Sequence, residues 1–96
     1  MNRGDTVVGI PAIEIPADVL YREVGGEMVL LHLGTEEYFA LNGVGAEIVR
    51  RLLELPWEQA LAELSDTYDV DPTILDGDAR ELVGALTTAG LARRTG

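Results

Sequence analysis

The chain has 96 residues, enough for one domain with a modest core, and its 47% hydrophobic content belongs to folded rather than disordered sequences. It has no cysteine, which excludes disulfides, thiolate metal sites and cysteine nucleophiles. Seventeen acidic residues stand against seven basic ones, all arginine, and the net charge of −10 repels phosphate backbones. That charge serves solubility first; its sharper reading is attraction to a basic partner. The N-terminus lacks a basic segment followed by an apolar core, and the longest apolar runs, such as Met28 to Leu31, are far too short to span a bilayer. A soluble cytoplasmic protein with no membrane contact is the expectation.

In residues 1–16, Pro11 and Pro16 bracket Ala12-Ile13-Glu14-Ile15. Proline is confined to strand ends and edges, so this segment reads as either a flexible arm or a short edge strand, with the folded domain occupying 17–94. Residues 19–24 alternate as a strand. Gly25-Gly26 suits the positive φ angles of a two-residue hairpin turn. Residues 27–33 form a second strand whose apolar residues fall on both faces, which predicts burial on both sides. A turn at 34–36 leads into a third strand at 37–41, giving a three-stranded antiparallel meander.

From Asn42 the hydrophobic period changes from two to 3.6. Asn42 is a suitable N-cap for a first helix over 43–55, with Val44, Ile48, Leu52 and Leu55 as its apolar stripe. Pro56 ends that helix or opens the next at its first position. A second helix over 57–68 turns Trp57, Ala60, Leu61 and Leu64 inward. Asp71 caps a third helix over 72–89 that has Pro72 at its first position. Along it run Leu75, Ala79, Leu82 and Leu86; Val83 lies to one side, and Ile74, Asp78, Ala85 and Ala89 to the other. Gly77 and Gly84 lie on one side of this helix and read equally as aids to close approach or as tolerated drift. Gly90 follows as a C′ residue, and Arg93-Arg94 sits where cations complement a helix C-terminus. The expected fold class is α+β: a three-stranded antiparallel sheet followed by three helices, which is also the winged-helix theme.

Nothing in the sequence supports catalysis. His32, the single histidine, sits mid-strand and reads as structural rather than as a ligand or base. Asp66, Asp69, Asp71, Asp76 and Asp78 lack the spacing and central glycine of a calcium loop. Gly43-Val44-Gly45 is no dinucleotide fingerprint, and Ser65, the single serine, has no nucleophile motif around it. No cofactor and no metal are expected. The second and third helices have the length and spacing of a helix-turn-helix. The third, however, offers Asp76, Asp78 and Glu81 against Arg80 alone, the wrong inventory for reading bases. Peptide binding remains: an exposed strand edge accepts an extended peptide as a further strand.

The run from Leu20 to Leu91 resembles the PqqD-like family, also called RiPP recognition elements. The features that carry the resemblance occur in order: Gly25-Gly26-Glu27-Met28-Val29-Leu30-Leu31, then Glu37-Tyr38-Phe39-Ala40-Leu41-Asn42 with Val44-Gly45-Ala46 and Ile48, then Tyr68-Asp69-Val70-Asp71-Pro72, then Asp78 with Leu82, Leu86, Gly90 and Leu91. The resemblance implies a winged-helix-like fold that performs no chemistry itself. It binds the leader of a ribosomally made precursor peptide as an extra strand beside the third strand, in the cleft against the third helix. It also implies partners: a leader peptidase and an ATP-dependent macrolactam-forming cyclase of lasso-peptide biosynthesis or, as runner-up, a radical SAM enzyme of quinone-cofactor synthesis. A winged-helix DNA-binding regulator is the remaining alternative. Carried over residue by residue, the peptide-binding set is Tyr38, Phe39, Ala40 and Leu41 on the third strand and Asp78, Ala79, Leu82, Val83 and Leu86 on the third helix. Leu41, Leu82 and Leu86 read as core more readily than as contact.

Overall fold

In the computed structural model, which describes residues 9–95, the chain has the α+β architecture expected of it. Its elements are β1 (Ile13–Glu14), β2 (Val19–Val24), β3 (Glu27–His32), β4 (Tyr38–Leu41), α1 (Gly43–Leu52), α2 (Trp57–Tyr68), α3 (Pro72–Thr88) and β5 (Arg93–Arg94). The main sheet has the order β2-β3-β4, all antiparallel. Gly25 and Gly26, at φ 59° and 83°, make the two-residue turn that pairs Val24 with Glu27.

Strand alternation sends Val19, Tyr21, Met28, Leu30, Phe39 and Leu41 toward the helices, where Met28 and Leu30 are fully buried. The helices close over this face with Ala46, Ile48, Val49 and Leu52 of α1, Ala60, Leu61 and Leu64 of α2, and Leu75, Ala79, Val83 and Leu86 of α3. A tie across the layers reinforces the packing: Arg50 of α1 reaches Glu23 of β2 at 2.6 Å, and the Tyr21 hydroxyl donates to the same carboxylate at 2.7 Å. Burial, and then that bond, push the Tyr21 phenol up to about 12; the bonds from Arg50 and then Tyr21 hold the Glu23 carboxyl below its usual range.

Several expectations are corrected. The outer face of β3 is not buried: Val29 and Leu31 are half-exposed there, flanked by exposed Leu20 and Tyr38 on the neighbouring strands, and among the described residues no layer covers them. The buried stripe of α1 centres on Ala46 and Val49, and Val44 is exposed, because the packing direction of the helix follows the sheet rather than the most apolar line. Asn42 stands at the N-cap with extended backbone but makes no side-chain capping bond. Pro56 is the residue before α2 rather than its first, and the regular part of α1 stops at Leu52, in keeping with the bias against helical backbone just before a proline. At α3 the expected cap is present: Asp71 accepts from the Thr73 amide at 2.8 Å, with Pro72 following.

In the N-terminal segment, Ile13 and Glu14 pair with Arg94 and Arg93 of β5. Ala12 donates to Leu55 O and accepts from Thr95 N, and Ala12 and Ile13 are buried. This part of the arm is therefore a short strand tied to the chain's other end; residues 1–8 of the arm lie outside the described residues.

Candidate functional site

β4 is the last strand of its sheet, and among the described residues it pairs with β3 alone. The register decides which of its backbone groups remain open. His32 N–H donates to Glu37 O at 2.8 Å, so His32 and Glu37 form a hydrogen-bonded pair. In an antiparallel ladder bonded and non-bonded pairs alternate, which makes Leu30–Phe39 and Met28–Leu41 the next bonded pairs. The N–H and C=O of Tyr38 and Ala40 therefore point away from β3, along the open rim. Four polar backbone groups face outward over two residues, the template to which a further strand pairs.

A groove of about 650 Å³ runs beside this rim, between β4 and the C-terminal half of α3. Thr35, Glu37 and Phe39 line one wall; Gly84, Ala85, Thr88 and Ala89 line the other. The helical wall is built from small side chains, which keeps the groove open. A side chain added at Gly84 would meet nothing within 4 Å. A larger hollow of about 720 Å³ lies between α2 and the start of α3, rimmed by Glu58, Asp66, Asp69 and Asp71. It borders no strand edge, so the groove beside β4 is the better candidate for an extended peptide.

The turn that shapes the mouth of the groove is held by His32. Its Nδ1 accepts from the amides of Gly34 at 3.0 Å and Thr35 at 3.1 Å, which puts the ring proton on Nε2, 3.3 Å from the Asp18 carboxylate. The imidazole also lies against the end of α3. A Cβ on Gly90 would come within 3.2 Å of the ring, and Gly90 already needs a φ of 76° to end the helix. There the Leu91 amide returns to Leu86 O and the Gly90 amide to Thr87 O, the paired bonds of a Schellman stop. His32 is thus a structural hub that sets the spacing between the β3–β4 turn and α3. Glu36 in that turn has φ 66°, a left-handed conformation costing a non-glycine residue about 1–2 kcal/mol.

Of the residues singled out from sequence, Tyr38 (61% exposed) and Ala40 are exposed on the rim, while Phe39 and Leu41 are half-buried on the helix-facing side. Asp78 is exposed and Leu82 half-buried. Ala79, Val83 and Leu86 are in the core, so their side chains shape α3 from within and are not open to a surface ligand. Sequence reasoning passed over Gly84, Ala85, Thr88 and Ala89 as groove residues. The signal for two of them was present, since Ala85 and Ala89 fall on the same helical line as Ile74 and Asp78. Among the described residues no cluster of three or more histidines and carboxylates could hold a metal ion, and no helix is long and apolar enough to cross a membrane.

Comparison with known proteins puts this geometry in context. The sequence model of the family described as Coenzyme PQQ synthesis protein D (PqqD) matches residues 27–92, which takes in β3, β4 and all three helices. Among solved structures, TbiB1 in complex with the TbiA(beta) leader peptide superimposes with a TM-score of 0.75 at 32% identity, over 82% of this chain and 93% of that one. A second, a lasso peptide synthetase B1 complexed with the leader peptide, superimposes with a TM-score of 0.76 at 29% identity, over 84% and 96%. No curated protein matches the chain.

Proposed function

The chain belongs to the PqqD family, and from that premise we propose that it is a non-catalytic recognition protein for the leader of a ribosomally synthesised precursor peptide. The leader adds as a strand along the open rim of β4 and lies in the groove against α3. Main-chain bonds to Tyr38 and Ala40 supply affinity; Phe39 and the small residues of α3 supply the shape that discriminates. Residues 17–94 form the binding unit, and the described part of the arm is tied to β5 through Ile13 and Glu14. The bound precursor is handed, in the cytoplasm, to a leader peptidase and a macrolactam-forming cyclase of lasso-peptide biosynthesis. The observation that carries this reading is a free strand edge beside a preformed groove, in a chain 32% identical to a protein solved with a leader peptide. A second reading, presentation of a peptide to a radical SAM enzyme, is favoured by the matched family's description as a coenzyme PQQ synthesis protein.

The test is titration of the TbiA(beta) leader peptide into the isotope-labelled chain, followed by backbone amide shifts. Tyr38, Ala40, Gly84, Ala85 and Ala89 should respond together. Ala40→Pro removes one outward amide without breaking a bond to β3, so it should weaken binding at least tenfold while the chain stays folded. Silence along β4 and α3, or full affinity in a folded Ala40→Pro variant, would remove strand addition at this edge.

A further inference from the structure

We propose that the groove selects a cationic ligand: an extended peptide segment with lysine or arginine on both sides of the residues lying against Phe39. The inference rests on the leader-binding reading and adds the charge class of that leader.

One carboxylate, Glu37, lines the groove at its turn end, and helical periodicity continues the groove-facing side of α3 through two more, Glu81 and Asp78, beyond the lining itself. Glu36 and Glu37 are exposed at the β3–β4 turn, where Glu37 lines the groove itself. The C-terminal end of α3 abuts this turn, with Gly90 against His32. The groove-facing side of α3 therefore runs away from the turn as it is followed back from Ala85. On that side come Glu81 and then Asp78, about 6 and 10 Å before Ala85 along the helix axis, both exposed. A strand crossing the four residues of β4 covers about 13 Å, so its flanks meet acid at either end.

Among the described residues, these four carboxylates have no cation paired with them. Among the described residues the arginines are engaged elsewhere: Arg50 with Glu23 and Glu47, Arg51 with Glu63, Arg80 with Asp76, and Arg93 with Glu14. Arg94 lies over the Trp57 ring at 4.6 Å. Arg22 is left, two strands from the rim in the row Arg22–Val29–Ala40 on the outer face of the sheet, the side away from the groove. None of Glu36, Glu37, Asp78 or Glu81 forms a salt bridge in the described chain. The groove lining includes Glu37 and no basic side chain. A concave site lined by one sign of charge focuses its field on whatever enters, and a net charge of −10 adds to it. The complementary charge has to arrive with the occupant, and an acidic leader is disfavoured both at long range and in contact.

The test uses the full chain and the TbiA(beta) leader peptide extended at both ends by two lysines or by two glutamates, with affinities read by fluorescence anisotropy. The lysine-extended probe should bind about tenfold more tightly at low salt, and the two should converge at high salt. The gap should collapse in Glu36→Gln/Glu37→Gln/Asp78→Asn/Glu81→Gln, and shrink in the milder Glu37→Gln/Glu81→Gln should the fourfold variant not fold. It should survive in Glu27→Gln/Glu54→Gln/Glu58→Gln/Asp66→Asn, which removes the same net charge away from the groove. Equal binding of the two probes, or an equal loss of preference in both fourfold variants, overturns the charge assignment and leaves leader binding standing. Failure of both probes to bind under any condition overturns leader binding and the charge assignment together.

Discussion

Trp57 shows how single residues fix the frame that holds the groove. Its indole N–H donates to Asp76 Oδ1 at 2.8 Å, and Arg80 donates to the other oxygen of that carboxylate at 2.7 Å. The Arg80 guanidinium lies 5.2 Å from the indole centroid and that of Arg94 4.6 Å. The start of α2, the first turns of α3 and the C-terminal strand β5 are thereby joined at one ring. The bond from Trp57, and then that from Arg80, hold the Asp76 carboxyl below its usual range. A carboxyl depressed in the folded state contributes stability that is complete above its ordinary pKa and disappears as pH falls through the lowered one. Asp76→Asn should therefore melt at a lower temperature than the parent at pH 7, by a few degrees at most because the site is open to solvent. The difference should begin to shrink as pH falls below the ordinary carboxyl pKa, about 4, and close only in stronger acid, once the parent's depressed carboxylate takes up its proton. Thermal melts followed by Trp57 fluorescence across that range measure it, and a difference undiminished in acid would assign the loss to packing instead of charge.

At the scale of elements, α3 is a helix with three kinds of side, and the sequence shows the sides better than their destinations. Local signals were readable because each is satisfied within a few residues: the Gly25-Gly26 turn, the Asp71-Pro72 start and the Gly90 stop all stand where expected. The open edge of β4 was readable as well, since a meander of three strands must end on its third. The groove wall was readable only in part. Ala79, Val83, Ala85 and Ala89 are all small and apolar, and helical periodicity cannot say which of two adjacent lines faces the core. Packing against α1 and α2 sends Ala79 and Val83 inward and leaves Ala85 in the groove. The glycines of α3 turn this distinction into an experiment. Gly77 and Gly84 both have open space where a Cβ would stand, so Gly77→Ala and Gly84→Ala should each stabilise the fold by about 0.5–1 kcal/mol. Only Gly84 lines the groove. Gly84→Leu should therefore weaken binding of the TbiA(beta) leader about tenfold or more without lowering the melting temperature, and Gly77→Leu should leave binding unchanged. Equal binding by the two leucine variants would move the ligand off this wall.

For the molecule as a whole, the division of surfaces bears on how a leader-binding chain would assist a reaction carried out by another protein. The rim and groove lie on one side of β4 and α3, and the arm is tied to β5 by Ile13–Arg94 and Glu14–Arg93 away from them, so a ligand enters the groove without displacing the described part of the arm. A chain that held the leader as proposed would leave the rest of the precursor free on a flexible tether. If this chain also docks on a leader peptidase, the scissile segment is presented at an effective concentration of about 1 mM, as for a short flexible linker. The gain is then a matter of dilution. At micromolar precursor the chain should raise single-turnover cleavage by about 10²–10³, and the gain should fall away as free precursor itself approaches the millimolar range. Cutting the precursor within its leader, between the segment held in the groove and the scissile bond, so that the bound part tethers nothing, should abolish it at every concentration. Cleavage rates measured against precursor concentration, with and without this chain, separate tethering from the alternative. An acceleration independent of precursor concentration, or one that survives the cut, would mean that the leader-bound chain alters the peptidase itself, and the groove would then work as a sensor instead of a grip.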